Sequence, residues 1–195
     1  MAKRYQSTPS DPLIPRTGYV IAIDPGYAGS GCAVAVGVGG LLDAVYFEHA
    51  RDWLFDIEHP KATHVIVEQP QQDARSAGVP PAILIKLAWE GAKLAGLYAG
   101  DADVTLDDPT VTEWKGSEAK PAMHKRLWRV LSQGERAALG GAKTERAIEA
   151  ACEKGALCRW SKPGAELYPS TFKTHNLLDA ASLLLWAYGR LEKVG

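Results

Sequence analysis

The sequence predicts a mixed α/β fold in which a five-stranded sheet is flanked by helices. Near the N-terminus, three apolar runs are separated only by short glycine-containing turns, a pattern typical of an antiparallel meander. Farther along, short runs rich in valine and isoleucine alternate with longer amphipathic segments, which indicates parallel strands joined by helices. With 195 residues, of which 46% are hydrophobic, the chain can build one well-cored domain.

The predicted elements follow one another in a simple order. Residues 1–17 are polar and rich in proline, so we expect a flexible tail there and a single domain over residues 18–195. The predicted strands are 19–24, 31–38, 41–48, 63–68 and 103–107, and the predicted helices are 50–57, 81–98, 119–132, 134–139, 143–155 and 174–191. We expect the helical segment at 133–160 to pack against the sheet, because its charges are spaced as on ordinary amphipathic helices.

Bulk properties exclude several classes of protein. A net charge of −1 gives no overall basic signal for nucleic-acid binding. No apolar run is long enough to span a bilayer and the first ten residues lack the apolar stretch of a secretory signal, so we expect a cytoplasmic protein without a membrane partner. Cys32, Cys152 and Cys158 form no C-x-x-C pair, which predicts free thiols rather than a disulfide framework or a zinc site.

Two carboxylates each end an apolar strand. Asp24 closes the first predicted strand and Glu68 closes the fourth, and an acid at such a position emerges at the rim of the sheet. If the two strands are neighbours, Asp24 and Glu68 repel each other, and a shared divalent cation is the simplest remedy. The pattern therefore indicates metal-assisted chemistry.

The last predicted helix supplies a third candidate acid. It is apolar on most sides, but His175, Asn176 and Asp179 lie at one end, and the spacings of four and three residues put both His175 and Asn176 on the face of Asp179. Considered with Asp24 and Glu68, Asp179 is predicted to be a metal ligand.

A locally basic segment precedes this helix. Lys115, Lys120, Lys125, Arg126 and Arg129 occur there against the single acid Glu118, and such a stretch could contact phosphates. The tryptophans at positions 114 and 128 could stack on bases, although apolar packing is the commoner role.

Four motifs in a fixed order carry a resemblance to a known family. They are Ile-Asp-Pro-Gly at residues 23–26, Val-Glu-Gln-Pro at 67–70, Trp-Lys-Gly at 114–116 followed by Lys120, and Asp-Ala-Ala at 179–181. Together they resemble the RuvC family of Holliday-junction resolvases over residues 19–190, with 133–173 fitting poorly. The resemblance implies an RNase H-like fold and a metal-dependent endonuclease that resolves four-way DNA junctions in recombination and repair.

The resemblance also implies roles for individual residues. The metal-binding acids of the family fall on Asp24, Glu68 and Asp179, and its DNA-contacting lysines fall on Lys115 and Lys120. The family usually has Asp or His three residues before the last acid, where this chain has Asn176, with His175 one residue further back. Asn176 can offer a carbonyl oxygen to a metal but cannot act as a base, whereas His175 could bind metal or position a water, so we favour His175.

The expected mechanism is phosphodiester hydrolysis with two Mg²⁺ ions roughly 4 Å apart, for which Mn²⁺ would substitute. Asp24 would bridge the ions, and Glu68 and Asp179 would each complete one shell. His175 would orient the attacking water or accept its proton, and Lys120 would stabilise the charged transition state. Because a four-way junction has two-fold symmetry, we expect a homodimer.

Three rival interpretations stay open at this point. A catalytically weak relative could bind branched nucleic acid without cutting it, with the missing fourth acid as its signature. A nuclease of the same chemistry could prefer forks, flaps or RNA-containing duplexes. An actin-like ATPase is disfavoured because such proteins duplicate the fold and carry a second phosphate loop that this chain lacks.

Overall fold

The first three strands form the predicted antiparallel meander in the computed structural model of the chain, which describes residues 12–26, 31–49, 62–70, 79–99, 105–116, 118–157, 168 and 172–192. Strand β1 spans Tyr19–Asp24, β2 spans Cys32–Val38 and β3 spans Leu41–Glu48. β1 and β3 both pair antiparallel with β2, which lies between them. The meander is confirmed.

Two further strands complete a mixed sheet. β4, His64–Val67, pairs parallel with β1, and β5, Thr105–Asp107, pairs parallel with β4. The order across the sheet is β3-β2-β1-β4-β5. Helix α1, Pro81–Ala99, connects the parallel strands β4 and β5, as predicted. The helix predicted at 50–57 lies outside the described residues.

The C-terminal half is helical, as expected. Its helices are α2 (Val111–Trp114), α3 (Lys120–Val130), α4 (Gln133–Ala138), α5 (Gly141–Leu157) and α6 (Thr174–Ala187). The single turn α2 was not predicted, because four residues are too few to show helical periodicity. α6 ends before the predicted residue 191, since Gly189 adopts a φ of 66°, a left-handed conformation that commonly terminates helices.

The sheet separates two apolar layers. Side chains alternate along β1, so that Val20 and Ala22 pack with α3 and α6 on one face, while Ile21 and Ile23 pack with α1 on the other. β4 follows the same rule, with Ile66 on the α6 face. Both faces of the central strands are therefore buried, which explains why their sequences are apolar throughout.

The packed structure begins before residue 18. Ile14, within the predicted flexible tail, is only 2% exposed and joins the core beside α6. Its backbone N–H donates to the carbonyl oxygen of Ala187 at 3.3 Å. Because prolines flank Ile14, the sequence pattern did not indicate that this residue is buried. The boundary predicted at residue 18 therefore falls too late.

The described part of the segment at 133–160 consists of α4 and α5, of which α4 contacts the sheet and α5 contacts α3. The carboxylate of Glu135 in α4 accepts a hydrogen bond from the backbone N–H of Leu42 in β3 at 2.9 Å, so α4 does pack against the sheet. α5 packs instead on α3, with Ile148 buried in the shared core. Cys32 and Cys152 are free thiols, as predicted, and Cys158 lies outside the described residues. None of the described helices is both long and apolar enough to cross a membrane.

Candidate active site

Strand alternation places Asp24 and Glu68 on the same face of the sheet. Asp24 continues the series of Val20 and Ala22, and Glu68 comes two residues after Ile66, so both carboxylates belong to the face that α6 covers. The two strand ends are direct neighbours, because the backbone N–H of Glu68 donates to the carbonyl oxygen of Ile23 at 2.9 Å. The condition on which the acids would repel each other, that their strands are neighbours, is met.

Close packing of α1 fixes these strand ends from the opposite face. A Cβ atom on Gly91 would lie 2.9 Å from Cγ of Pro25 and 3.0 Å from Cγ1 of Val67. Pro25 directly follows Asp24 along the chain, and Val67 directly precedes Glu68. Gly91 therefore lets α1 approach the residues that carry Asp24 and Glu68 more closely than any other amino acid would allow.

Asp179 reaches the same region from α6 and is held by two residues of α3. Its Oδ2 forms an ion pair with the ammonium of Lys120, and its Oδ1 lies 2.8 Å from Nε2 of His124. Lys120 and His124 are four residues apart, so they share one face of α3. Both oxygens of Asp179 are therefore engaged.

The short helix α2 contributes the contact to Glu68. Gln69 and Thr110 form an isolated parallel bridge, in which the backbone N–H of Gln69 donates to the carbonyl oxygen of Pro109 at 3.0 Å. This pairing brings α2 beside the end of β4. From there the indole N–H of Trp114, which is 2% exposed, donates to Oε2 of Glu68 at 3.1 Å.

These groups surround an open cleft of about 350 Å³. Three carboxylates, two lysines and one carboxamide supply its polar lining. The lining residues are Asp24, Pro25, Gly26, Glu68, Val111, Trp114, Lys115, Lys120, Asn176 and Asp179. With every group ionised, three negative charges face two positive ones, so the cleft carries one unbalanced negative charge.

The crowding of carboxylates disfavours ionisation of the two strand-end acids. Burial, followed by the charges of Glu68 and Asp179, raises the pKa of Asp24 well above its usual range. Burial and the charge of Asp179 raise the pKa of Glu68 to about 7, against the opposing effect of the lysines and the Trp114 hydrogen bond. Both acids are therefore protonated more readily in the folded protein than they would be in water.

Asp179 behaves differently because its partners are cationic or donate hydrogen bonds. Burial disfavours its charged form, but the ammonium of Lys120 and then His124 outweigh that effect and lower the pKa of Asp179 below its ordinary value. Burial likewise opposes the charge on Lys120, yet the carboxylates of Asp179 and Asp24 raise its pKa. Asp179 is thus the permanently charged acid of the three.

The donor set fits a hard divalent cation in its chemistry. Carboxylate oxygens of Asp24, Glu68 and Asp179, with the amide oxygen of Asn176, are the oxygen ligands that Mg²⁺ and Mn²⁺ prefer. Over the described part of the chain, no three acidic, histidine or cysteine side chains already enclose a common point as a metal would require. The residues fit such an ion by chemical type, and all four line one cleft.

At the fourth predicted position, it is Asn176 that lines the cleft. His175 is half-buried and its ring stacks on Tyr168, with centroids 5.5 Å apart and an interplanar angle of 21°. Burial and the nearby Lys120 lower the pKa of His175 to about 4, which keeps its ring neutral at physiological pH. The role predicted for His175 toward a metal or a water stays a prediction.

The predicted DNA-contacting residues divide into two groups. Lys115 and Lys120 line the cleft, whereas Lys125 and Arg129 are exposed on α3, away from Asp179. Arg126 forms an ion pair with Glu118 at 2.8 Å and also donates to the backbone carbonyl of residue 192, so it has a structural role in this arrangement. The tryptophans at 114 and 128 are both buried in the core, which rules out base stacking as they stand.

Sequence reasoning missed His124 and Tyr168. His124 was considered only as one letter of the basic segment, yet its side chain is fully buried between Tyr168 and Asp179. Its spacing of four residues from Lys120 was the signal that could have identified it. Tyr168 carried no such signal, because its position relative to α3 depends on the tertiary fold.

No protein-family model, curated protein or solved structure matches this chain.

Proposed function

We propose that this chain is a metal-dependent endodeoxyribonuclease that cleaves phosphodiester bonds in branched DNA, with the four-way junction as its substrate. The resemblance of the sequence to the RuvC family, which implies an RNase H-like fold, is part of the basis for this proposal. The observation that carries it is the convergence of Asp24, Glu68 and Asp179 on one cleft, because these acids are far apart in the sequence and come from three different elements.

The electrostatics of the cleft support a divalent cation as the missing partner. Three buried or half-buried carboxylates would be a costly arrangement for stability alone, since burial, and then the charge of nearby carboxylates, raises the pKa values of Asp24 and Glu68. Asp24, Glu68 and Asp179 would hold Mg²⁺ or Mn²⁺, and the amide oxygen of Asn176 could add a neutral ligand. When bound, such ions activate a water and neutralise charge on the leaving oxygen.

The lysines of the cleft supply the affinity for phosphate. Lys115 and Lys120 line the same cleft as the three acids. A DNA phosphate bound by these lysines would therefore lie next to the carboxylates. Lys120 is paired with Asp179, which orients its ammonium into the cleft. Exposed Lys125 and Arg129 on α3 could extend the contact to neighbouring phosphates.

Junction symmetry implies a dimer, because two cuts related by a two-fold axis need two cleft-bearing chains. α1 offers an exposed apolar pair for this purpose, Ile85 at 69% and Trp89 at 63% exposure. Elsewhere on α1, Leu94 is fully buried, whereas Ile83 and Leu87 are partly exposed. Sedimentation equilibrium of the wild type and of a Trp89→Glu variant would test whether the chain dimerises through this surface.

The decisive experiment is cleavage of a labelled synthetic four-way junction, beside linear duplex, fork and flap substrates, in Mg²⁺, in Mn²⁺ and in chelator. Asp24→Asn removes one cleft charge with little change of shape. Glu149→Gln, on the exposed side of α5, makes the same kind of change away from the cleft and is the matched control. We expect paired, metal-dependent cuts in the junction that persist in the control and vanish in Asp24→Asn.

Other outcomes would identify the rival functions. Tight junction binding without cutting in either metal would overturn nuclease activity and favour a recognition module, for which the amide at position 176 is the specific structural argument. Preferential cutting of forks or flaps would retain the chemistry and change the substrate. Cutting that survives in chelator or in Asp24→Asn would rule out the proposed site.

A further inference from the structure

His124 lies in the interior between two other polar side chains. Its exposure is 0%, its Nε2 lies 2.8 Å from Oδ1 of Asp179, and its Nδ1 lies 2.8 Å from the hydroxyl of Tyr168. Both ring nitrogens are therefore satisfied, and the three residues form a continuous chain from the interior to the wall of the cleft. Buried polar groups in protein cores are normally hydrogen-bonded, and the fully buried His124 has a partner at each ring nitrogen.

The direction of the chain follows from the chemistry of its ends. Asp179 pairs through Oδ2 with the ammonium of Lys120 as a carboxylate does, and a carboxylate only accepts hydrogen bonds. Nε2 of His124 must therefore carry the proton that is donated to Oδ1. In the neutral ring that donates through Nε2, Nδ1 carries no proton, so it accepts the proton of the Tyr168 hydroxyl at 2.8 Å.

Tyr168 is in turn held by flat contacts on its ring. Phe172 stacks on it with centroids 5.5 Å apart and an interplanar angle of 23°, and His175 stacks with a similar separation and angle. The hydroxyl oxygen of Tyr168 therefore cannot move away from His124 without disrupting both stacks. In this arrangement His175 contributes to the site by supporting Tyr168.

Because of the hydrogen-bond chain from Tyr168 through His124, the two oxygens of Asp179 have different partners. Oδ1 is held from the interior by His124, while Oδ2 is paired with Lys120, which lines the cleft. A partial rotation of the carboxylate plane about χ2 would take an oxygen away from Nε2 of His124 and break this buried hydrogen bond, which no solvent replaces. Asp179 is thus fixed with one oxygen directed to the cleft.

We propose that His124 and Tyr168 are positioning residues, which orient the Asp179 carboxylate so that Oδ2 is presented to a cation in the cleft. The part of this inference that concerns a cation rests on the proposed function. The orientation of the carboxylate by the Tyr168–His124 chain does not, and it can be measured on the protein without metal.

The first test is NMR of the protein labelled with ¹⁵N in histidine, in chelator at neutral pH. We expect the His124 ring to carry its proton on Nε2, with slow exchange, and Tyr168→Phe to shift the Nδ1 resonance because that nitrogen loses its donor. A His124 ring unprotonated at Nε2, or an Nδ1 resonance unmoved by Tyr168→Phe, would overturn the positioning chain whatever the protein's function.

The second test is calorimetric titration of Mn²⁺ into folded variants. Loss of a hydrogen-bond partner behind a metal ligand typically weakens metal affinity by about 10–100-fold, which we expect for His124→Leu, with a smaller loss for Tyr168→Phe. His124→Gln should recover part of the affinity, because an amide N–H can still donate to Asp179. Ile148→Ala removes core volume from α5 and no hydrogen bond of the Tyr168–His124–Asp179 chain, so it controls for lost stability.

The outcomes separate the two proposals. Affinity in His124→Gln and Tyr168→Phe equal to that of the wild type, or equal losses in all variants including Ile148→Ala, would overturn the positioning role. If His124→Leu does not fold, the comparison of His124→Gln with Tyr168→Phe still decides. If the wild-type protein binds no Mn²⁺ while the NMR signature is present, the proposed function fails and the orienting chain stands.

Discussion

The indole nitrogen of Trp114 donates a hydrogen bond to Oε2 of Glu68 across 3.1 Å, and both groups lie at the edge of the acidic cleft. Trp114 is itself part of the hydrophobic core. A core side chain therefore orients a carboxylate of the candidate site, so the packing of α2 against the sheet is coupled to the geometry of the cleft.

This coupling predicts the effect of Trp114→Phe. The variant keeps an aromatic ring but loses the donor, so we expect Mn²⁺ affinity to fall by about 10-fold and the free energy of unfolding to fall by about 1–3 kcal/mol. The pKa of Glu68 should rise further, because the hydrogen bond from Trp114 lowers it. Calorimetry and urea unfolding measure the first two quantities.

Trp128→Phe is the matched control for this change. Trp128 is equally part of the core, but its indole N–H has no hydrogen-bond partner among the described residues and does not contact Glu68. The same loss of Mn²⁺ affinity in both variants would mean that the effect comes from core packing and that the Trp114–Glu68 hydrogen bond is irrelevant to the site.

Asp24→Asn should stabilise the metal-free protein while abolishing cleavage. The raised pKa of Asp24 means that its charged form is disfavoured in the folded state, so a neutral isostere relieves repulsion with Glu68 and Asp179. In a chain of this size each kcal/mol gained raises the Tm by about 2–4 °C. Thermal unfolding in chelator at pH 8 measures the shift, with exposed Asp108→Asn as control. A Tm below that of the wild type would contradict this account of the cleft.

Glu68 predicts a pH dependence of stability. Its pKa is about 7 in the folded protein and 4.5 ordinarily, so between these values the folded state binds the proton more tightly than the unfolded state. The stability that the protonated Glu68 carboxyl contributes to the folded protein is fully present below pH 4.5 and is lost as the pH rises through 7. We expect the Tm of Glu68→Gln to exceed that of the wild type by a margin that grows from pH 5 to pH 8 in chelator. A constant margin would show that the carboxyl titrates normally.

The fold was largely predictable from the sequence because its signals are local. Glycine turns between Val- and Ile-rich runs specify the meander, and the same runs explain why β1 and β4 are buried on both faces. The convergence of Asp24 and Glu68 was predictable too, because parallel neighbours end at the same edge of a sheet. Asp179 was predicted from the polar cluster at one end of its helix, considered together with Asp24 and Glu68.

What the sequence could not specify depends on side-chain direction and on contacts across the fold. His175 and Asn176 are adjacent in α6 and share a helical end with Asp179, yet only Asn176 lines the cleft while His175 stacks on Tyr168. The spacing rules treat both as neighbours of Asp179. The link from Tyr168 through His124 to Asp179 joins three distant segments, and no local pattern encodes it.

Away from the cleft, a buried ion pair connects α4 to the chain after α6. The guanidinium of Arg190 contacts both oxygens of Glu135, at 2.5 and 3.0 Å, and also donates to the backbone carbonyl of Gly40. Glu135 accepts further hydrogen bonds from the backbone N–H groups of Leu42 and Ser132. One carboxylate thus ties together β3, α4 and the C-terminal segment.

This arrangement predicts acid sensitivity and a large effect of Glu135→Gln. Burial opposes the charge, but Arg190 and the backbone donors outweigh it and lower the pKa of Glu135 to about 2. Its stabilisation is therefore present above pH 4.5 and is lost as the pH falls toward 2. Glu135→Gln leaves Arg190 without its anion, so we expect a loss of about 3 kcal/mol in the free energy of unfolding at pH 7.

Urea unfolding at pH 7 and at pH 3 measures both effects. The difference between wild type and Glu135→Gln should shrink at pH 3, because the wild-type carboxylate is then closer to protonation. Exposed Glu153→Gln on α5 is the control, and Arg190→Met with the double variant completes a cycle for the pair itself. A coupling energy near zero would show that the backbone hydrogen bonds to Glu135, and not Arg190, hold α4 against β3.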